Sequence, residues 1–315
     1  MTALAGLAAI RGARAQAFPS RPVTIIVPYP SGGPVDITAR LIAQSVGDRL
    51  GQPFAVDNRG GGAGVIGSVA VQHAEPDGHT LILGTNQTHA TNQSLLKNCP
   101  DDAVKDFVPV AGIPEIPHLL VVRRGLEVAS AAELVALAKR SPGALNYAST
   151  GVGSASHLAA ELFKTRAGIE LQHIPFRGAA PMTTELLAGR IDVTFATLPG
   201  VVSHIDAGVI RALAVASGKR AARLPNVPTL AEAGISGVEA DAWFALFAPA
   251  RTPTAAVDRL HRAIVAGLET EAARDAIATQ GMKLWLRSPA DIAGWLPSEI
   301  GKWAAVIKTA GVVAE

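Results

Sequence analysis

A single cysteine, Cys99, stands in 315 residues, so no internal disulfide is available and the fold has to rest on its apolar core. Cys99 itself reads as a small, partly buried apolar residue in a loop rather than a redox group. An excess of charge is lacking as well: 28 Lys and Arg face 26 Asp and Glu, and without Arg11 and Arg14 the count is 26 against 26. A chain with no positive surplus has no electrostatic basis for binding nucleic acid. Past residue 17 no apolar stretch approaches the roughly 20 residues of a membrane span. The eight histidines are scattered without metal-ligand spacing and no His-Glu-x-x-His occurs, so neither metal nor cofactor is expected. No Gly-x-Ser-x-Gly elbow is present, and Ser154 beside His157 lacks an acid placed to orient the histidine, so catalysis is not expected either. Internal repeats and low-complexity segments are also missing.

What is present begins with a leader. Leu4 to Ile10 is an apolar, alanine-rich run, and Ala15-Gln16-Ala17 is a small-x-small cleavage pattern, so residues 1–17 are expected to be a signal peptide and Phe18 the mature start. The charged n-region is missing, which fits either a truncated start or a weak signal. About 298 residues then remain, enough for two domains with large cores, and 49% hydrophobic residues suits a globular α/β protein.

The stretch from Val23 to Gly67 organises the rest. Val23, Ile25, Ile26 and Val27 form a β-branched run that Pro28 and Pro30 stop, and Ser31-Gly32-Gly33-Pro34 turns the chain into a helix carrying Ile37, Leu41, Ile42, Val46 and Leu50, with Gly51 as its stop. Pro34 suits the first helical position. A glycine turn that opens a helix leaves unpaired backbone N–H groups at the positive end of the helix dipole, which can hold a carboxylate or phosphate. The plain alternative is the tight strand-to-helix turn of any α/β protein. Gly62-x-Gly64-x-x-Gly67 matches the dinucleotide fingerprint, but the next strand ends in Gly84-Thr85-Asn86 without the acid that would hold a ribose.

Beyond it, strand-like and helix-like runs alternate. Phe54 to Val56 and Thr80 to Leu83 are strands around a helix from Val65 to Ala74, giving a βαβαβ succession and a mostly parallel sheet flanked by helices, with ligands at the carboxyl ends of the strands. Phe107 to Ile113 and Leu119 to Val122 look like a crossing into a second lobe, where Ser130 to Glu133 is a capping box. Leu145 to Ala148 and Leu171 to Pro175 each run into a glycine-containing loop and a helix, and Trp243 to Ala248 returns the chain to the first lobe. Two crossings and two such lobes describe a hinged clamp: residues 18–120 and 243–315 as lobe 1, 121–242 as lobe 2.

The residues then carry a resemblance. The Pro30-Ser31-Gly32-Gly33 turn with Asp36, Asn58 to Gly64, Pro76-Asp77-Gly78-His79-Thr80-Leu81, Leu145 to Ser149, Gly153-Ser154-x-Ser156-His157-Leu158 and Trp243-Phe244-x-Leu246-Phe247-Ala248-Pro249 together resemble the solute receptors of tripartite tricarboxylate transporters, the TctC or Bug family, over essentially the whole mature chain. The resemblance implies a two-lobed periplasmic-binding-protein fold of type II. It also implies a periplasmic receptor that captures a small di-, tri- or aromatic carboxylate and passes it to membrane subunits, acting as a monomer without cofactor. The ligand-binding positions it implies are Tyr29, Ser31, Gly32, Gly33, Asp36, Asn86 and His89 in lobe 1, and Thr150, Gly153, Ser154, Ser156, His157, Arg177 and Thr197 in lobe 2.

Two departures from the family pattern, Pro34-Val35 in place of Gly and Thr or Ser, and Ala196-Thr197 in place of Asp-Asn, suggest a less polar cleft and a ligand such as an aromatic carboxylate. Several positions keep a second reading. Asp36 equally fits an acid that satisfies its own first turn, Ser154 a helix cap, and His157 a buried hydrogen-bond partner. Arg177 is the best candidate for pairing with a carboxylate, its fork matching the two oxygens, and is otherwise a solvated arginine. The rival classes are a hydrolase on the same fold and the sensing half of a regulator. The latter needs a DNA-binding segment, for which about 17 residues before the first strand are too short.

Overall fold

The structure is a computed structural model that describes residues 18–313, so the leader expected at 1–17 lies outside the described residues. The first lobe opens with β1 (Val23–Val27), α1 (Pro34–Leu50), β2 (Phe54–Asn58), α2 (Val65–Gln72), β3 (Thr80–Thr85), α3 (Asn92–Leu95) and β4 (Phe107–Ile116). The second lobe follows with β5 (His118–Arg123), α4 (Ala131–Arg140), β6 (Asn146–Ser149), α5 (Ala155–Ala167), β7 (Gln172–Pro175), α6 (Ala179–Leu187), β8 (Val193–Thr197), α7 (Val202–Asp206) and β9 (Ile210–Val215). The chain then comes back through β10 (Ala242–Pro249), α8 (Thr254–Leu268), α9 (Glu271–Thr279), β11 (Lys283–Leu284) and α10 (Pro289–Ala310).

Two sheets result, ordered β11-β4-β10-β3-β1-β2 and β7-β6-β8-β5-β9. They are mixed rather than mostly parallel. The βαβ units keep β1, β2 and β3 parallel in one sheet and β6, β7 and β8 parallel in the other. A strand arriving straight from the other lobe enters from the opposite end, and so β10 lies antiparallel between β3 and β4, and β5 antiparallel between β8 and β9. The chain passes to the second sheet at Pro117, upstream of the boundary expected after residue 120, because β5 already pairs from His118. The two crossings are tied together where His118 Nδ1 meets the Ala240 carbonyl at 2.7 Å.

Alternation along the strands assigns the cores. Val23, Ile25 and Val27 face α1 and α8, packing on Ile42, Val46, Leu260 and Ile264, while Ile26 faces the opposite layer. In β5, Leu119 and Val121 pack with Met182 and Leu186 of α6, while Leu120 and Val122 turn to Phe163 of α5. Both faces are covered, which is why these strands read as continuous apolar runs. The helix α10 joins the lobes, packing on β4, α3 and α5. Its Glu299 is buried and Oε1 accepts from two indoles, Trp243 Nε1 at 3.1 Å and Trp303 Nε1 at 2.6 Å. Glu299→Ala strands both donors away from water, each costing about 1–3 kcal/mol. A loss of stability on the order of 2 kcal/mol or more is expected in urea titration, and an unchanged midpoint would mean that water reaches these indoles.

Candidate functional site

The carboxyl ends of β1, β3, β6, β7 and β8 all open on the interlobe crevice, as parallel pairing dictates for strands of one direction. The two edges face one another there: Gln87 Nε2 donates to the Val152 carbonyl at 3.2 Å, Thr91 Oγ1 to the Gly153 carbonyl at 2.9 Å, and Leu95 fills the space over Gly153. A Cβ on Gly153 would lie 2.0 Å from Leu95 Cδ2, and its φ of +72° is one that side chains avoid, so glycine is required twice over.

In lobe 1, β1 leads through Tyr29 to Ser31, Gly32 and Gly33, and Gly33 heads α1 with no side-chain cap and Pro34 at the first turn. Gly32 N–H is already taken by Asp36 and Pro34 has none, so the N–H groups that the first turn of α1 leaves for an anion are those beyond Pro34, with the dipole of a 17-residue helix behind them. Asp36 is occupied within the turn. Its carboxylate takes Gly32 N at 2.9 Å, Arg40 Nε at 3.0 Å and Asn58 Nδ2 at 3.0 Å, and so fastens the turn to β2. Burial alone would raise the Asp36 carboxyl, but the bonds from Arg40, Gly32 and Asn58 outweigh it and hold it below its ordinary value. The Tyr29 hydroxyl lies 2.9 Å from Thr85 Oγ1 and donates to Gln87 Oε1 at 3.3 Å, and burial pushes it up to about 12 against the Thr85 bond.

Two expected lobe 1 residues are turned inward. His89 is fully buried, stacked on Phe247 at 4.0 Å and beside Thr88 Oγ1 at 2.8 Å. Asn86 is buried and bridges the crossing strand, accepting from Trp243 N at 2.9 Å and donating to the Asp241 carbonyl at 3.4 Å.

In lobe 2 the loop after β6 satisfies itself. Ser154 caps α5 by accepting from His157 N at 3.3 Å, and Ser156 Oγ accepts from Thr150 N at 2.9 Å while lying 3.0 Å from Ser154 Oγ. His157 Nδ1 accepts from Gly153 N at 3.0 Å, so its buried ring holds the loop from below. That ring stacks on His173 at 3.9 Å, which stacks on Tyr147 at 4.8 Å and approaches Ser149 Oγ at 2.7 Å. The polar groups left over are different ones. Gly178 heads α6 without a side-chain cap, Arg177 is exposed just before it, and Thr197 ends β8 half-buried. Arg123, Arg190 and Arg223 of the same lobe are paired with Asp192, Glu185 and Asp206, whereas Arg177 forms no ion pair among the described residues.

The glycines of the dinucleotide-like motif serve packing. A Cβ at Gly64 would meet Thr88 Cγ2 at 2.5 Å, and one at Gly67 would meet Pro28 Cα at 2.9 Å, so they let α2 lie against β1 and the turn after β3. The side chains of Val35 and Ala196 are buried in the two lobe cores, so the departures from the family pattern at these positions do not make the cleft less polar. Gln87 was not foreseen. The signal was five polar residues in a row, Thr85 to His89, directly after a buried strand.

Three buried histidines set a pH response. Burial pushes His89 down to about 3; burial pushes His118 down to about 4 against its Ala240 partner; burial, with His173 and Lys164 nearby, pushes His157 down to about 3. All stay neutral in the fold while the unfolded chain takes protons from about pH 6.5 downward. Stability is thus complete above that value and drains as pH falls toward 4. Asp241, pushed up to about 6 chiefly by burial, works the other way over the same range but is one group against three. Urea midpoints should fall from pH 7.5 to pH 4.5, less steeply in His118→Asn, and a flat profile would show these rings to be solvated.

Two α/β lobes joined by two crossings, with glycine-opened helices at the facing strand ends, define a two-lobed solute-binding protein. The model of the tripartite tricarboxylate transporter family receptor, TctC, matches residues 38–312, and the chain belongs to that family of periplasmic solute receptors. Protein BugT of Bordetella pertussis is 37% identical over 310 residues, covering 98% of this chain and 94% of that protein. Among solved structures, an R. palustris protein with adipate has a TM-score of 0.90 at 40% identity, covering 94% of this chain and 99% of the other. MatC from Rhodopseudomonas palustris with bound malate has 0.86 at 33%, covering 92% and 100%. No helix among the described residues is long and apolar enough to cross a membrane.

Proposed function

We propose that this protein is a periplasmic receptor that closes on a small aliphatic dicarboxylate and delivers it, as a monomer, to the membrane subunits of a tripartite tricarboxylate transporter. The observation that carries the reading is the pair of uncapped helix starts at the crevice, Gly33 of α1 and Gly178 of α6, with the unpaired Arg177 beside the second. Backbone N–H groups and one guanidinium suit two carboxylates at opposite ends of a short chain. Relatives with adipate and with malate support the aliphatic class over the aromatic one. Ser31 and Thr197 are the side chains proposed to add hydrogen bonds, Tyr29 to line the cleft with its hydroxyl engaged by Thr85 and Gln87, and Asp36, Ser154, Ser156 and His157 to hold the turns in shape.

A thermal-shift panel of adipate, malate, citrate and benzoate tests this. A ligand at a hundred times its Kd stabilises by about 2.7 kcal/mol. Adipate or malate should shift the midpoint and be recovered unchanged after long incubation. No shift with any of the four would sink the proposal, and an accumulating product would move it to the hydrolase class. Export with cleavage before Phe18 belongs to the same reading, and N-terminal sequencing of periplasmic protein checks it.

A further inference from the structure

From the turn before α1 to the loop after β6 runs a directed chain of hydrogen bonds across the crevice. Thr85 Oγ1 lies 2.9 Å from the Tyr29 hydroxyl, which donates to Gln87 Oε1 at 3.3 Å, and Gln87 Nε2 donates across the crevice to the Val152 carbonyl at 3.2 Å. With the Tyr29 proton given to Gln87, Thr85 supplies its own proton to Tyr29, so every donor in the chain points from lobe 1 toward lobe 2. Such chains strengthen one another away from water, and Gln87 is only 8% exposed. Its amide can stand only one way round, because a flipped amide would set its oxygen against the Val152 carbonyl.

The backbone prepares this placement. Gln87–Thr91 winds as a single wide π-type turn directly after β3, a rare geometry that recurs at functional sites. Both of its ends reach lobe 2, since Thr91 Oγ1 donates to Gly153 O at 2.9 Å. The receiving segment, Val152-Gly153, is the loop that Ser154 and His157 hold from the other side. Tyr29, in turn, is the residue from which the Ser31-Gly32-Gly33 turn departs, and its own carbonyl is fixed by Asn58 Nδ2 at 3.2 Å.

We infer that Gln87 is the positioning residue of the site: its amide accepts from Tyr29 and donates to Val152, tying the turn that leads into α1 to the loop after β6, which itself holds the α6 turn through Gly178 N and the Thr150 carbonyl at 3.3 Å, and thereby setting how long a bound carboxylate stays. This rests on the carboxylate-capture reading given above. A bond present only when the lobes are juxtaposed opposes reopening, so its loss acts on the dissociation rate and leaves association little changed.

Two substitutions separate the halves of the amide. Gln87→Met removes both bonds at nearly constant volume, and Gln87→Glu keeps the acceptor for Tyr29 while replacing the donor to Val152 by a second acceptor. With adipate as the probe, stopped-flow dissociation at pH 8 should be roughly tenfold faster in both variants, with association within about twofold of wild type. At pH 4.5 protonation of the introduced carboxyl restores a donor, so Gln87→Glu should return toward the wild-type rate measured at that pH while Gln87→Met stays fast. A purely structural role would lower the melting temperature without this selective rescue. The second arm uses no ligand: amide hydrogen exchange at Gly153 and Ser154 in the ligand-free protein should quicken severalfold in both variants. Wild-type exchange at these amides, or wild-type adipate dissociation in both variants, overturns the role of Gln87. Failure of the unaltered protein to bind adipate or any other carboxylate of the panel overturns the capture reading instead, and the exchange arm still decides the clasp.

Discussion

Gly33→Val is expected to fold as the wild type does and to lose carboxylate binding. Gly33 sits at φ −83° and ψ 172°, an extended conformation that a β-branched residue adopts readily, and a Cβ there meets nothing nearer than the Pro30 carbonyl at 4.0 Å. The turn is therefore undisturbed, and although no side-chain cap is lost, valine caps a helix less well than glycine, so the helix start loses about 0.5–1 kcal/mol. The isopropyl group instead occupies the space over the first turn of α1, where an anion would approach the free N–H groups. Blocking one or two charge-assisted bonds costs on the order of 2–3 kcal/mol, roughly 30- to 150-fold in Kd. Calorimetric titration with adipate beside a urea melt separates the two effects. Undiminished affinity in the folded variant would place the ligand away from α1.

Arg177→Ala should weaken binding on nearly the same scale, about 1.5–3 kcal/mol for a hydrogen bond to a charged group, with stability unchanged because the side chain is exposed and unpaired. Arg177→Lys refines the expectation. It keeps the charge but loses the planar fork, so it should recover only part of the affinity if the arginine grips both oxygens of one carboxylate. Full recovery would indicate a point charge, and an unaffected Arg177→Ala would return this residue to bulk solvent. Both changes should matter less at high salt, to the extent that the pair stays open to water.

The residues that repeat with period two or at helical spacing were legible as elements, because local sterics and burial act on neighbours in the chain. Thus Val23 to Val27 became β1, Pro34 to Leu50 became α1 with Gly51 at φ +70° as its stop, and Ser130 and Ser154 became helix caps. The ordered glycine turns marked the two-lobed receptor, since each sits where a strand end must meet a helix start. The strand directions of the sheets were not legible. Nothing local to Leu119 or Leu246 records that its strand arrives from the other lobe and so runs antiparallel.

The division within the site itself was likewise decided only by the tertiary structure. Whether a polar side chain near the crevice is free for a ligand depends on partners distant in sequence: Asn58 and Arg40 occupy Asp36, Trp243 occupies Asn86, and Phe247 covers His89. Arg177 and Asp36 look alike as charged residues beside glycine turns, yet among the described residues one forms no ion pair and the other is saturated. The sequence by itself determined where glycine turns open helices, because a helix start follows from local backbone geometry. Only the tertiary packing decided which polar side chains are already taken up by partners, Gln87 among them, because those hydrogen bonds join residues more than fifty positions apart.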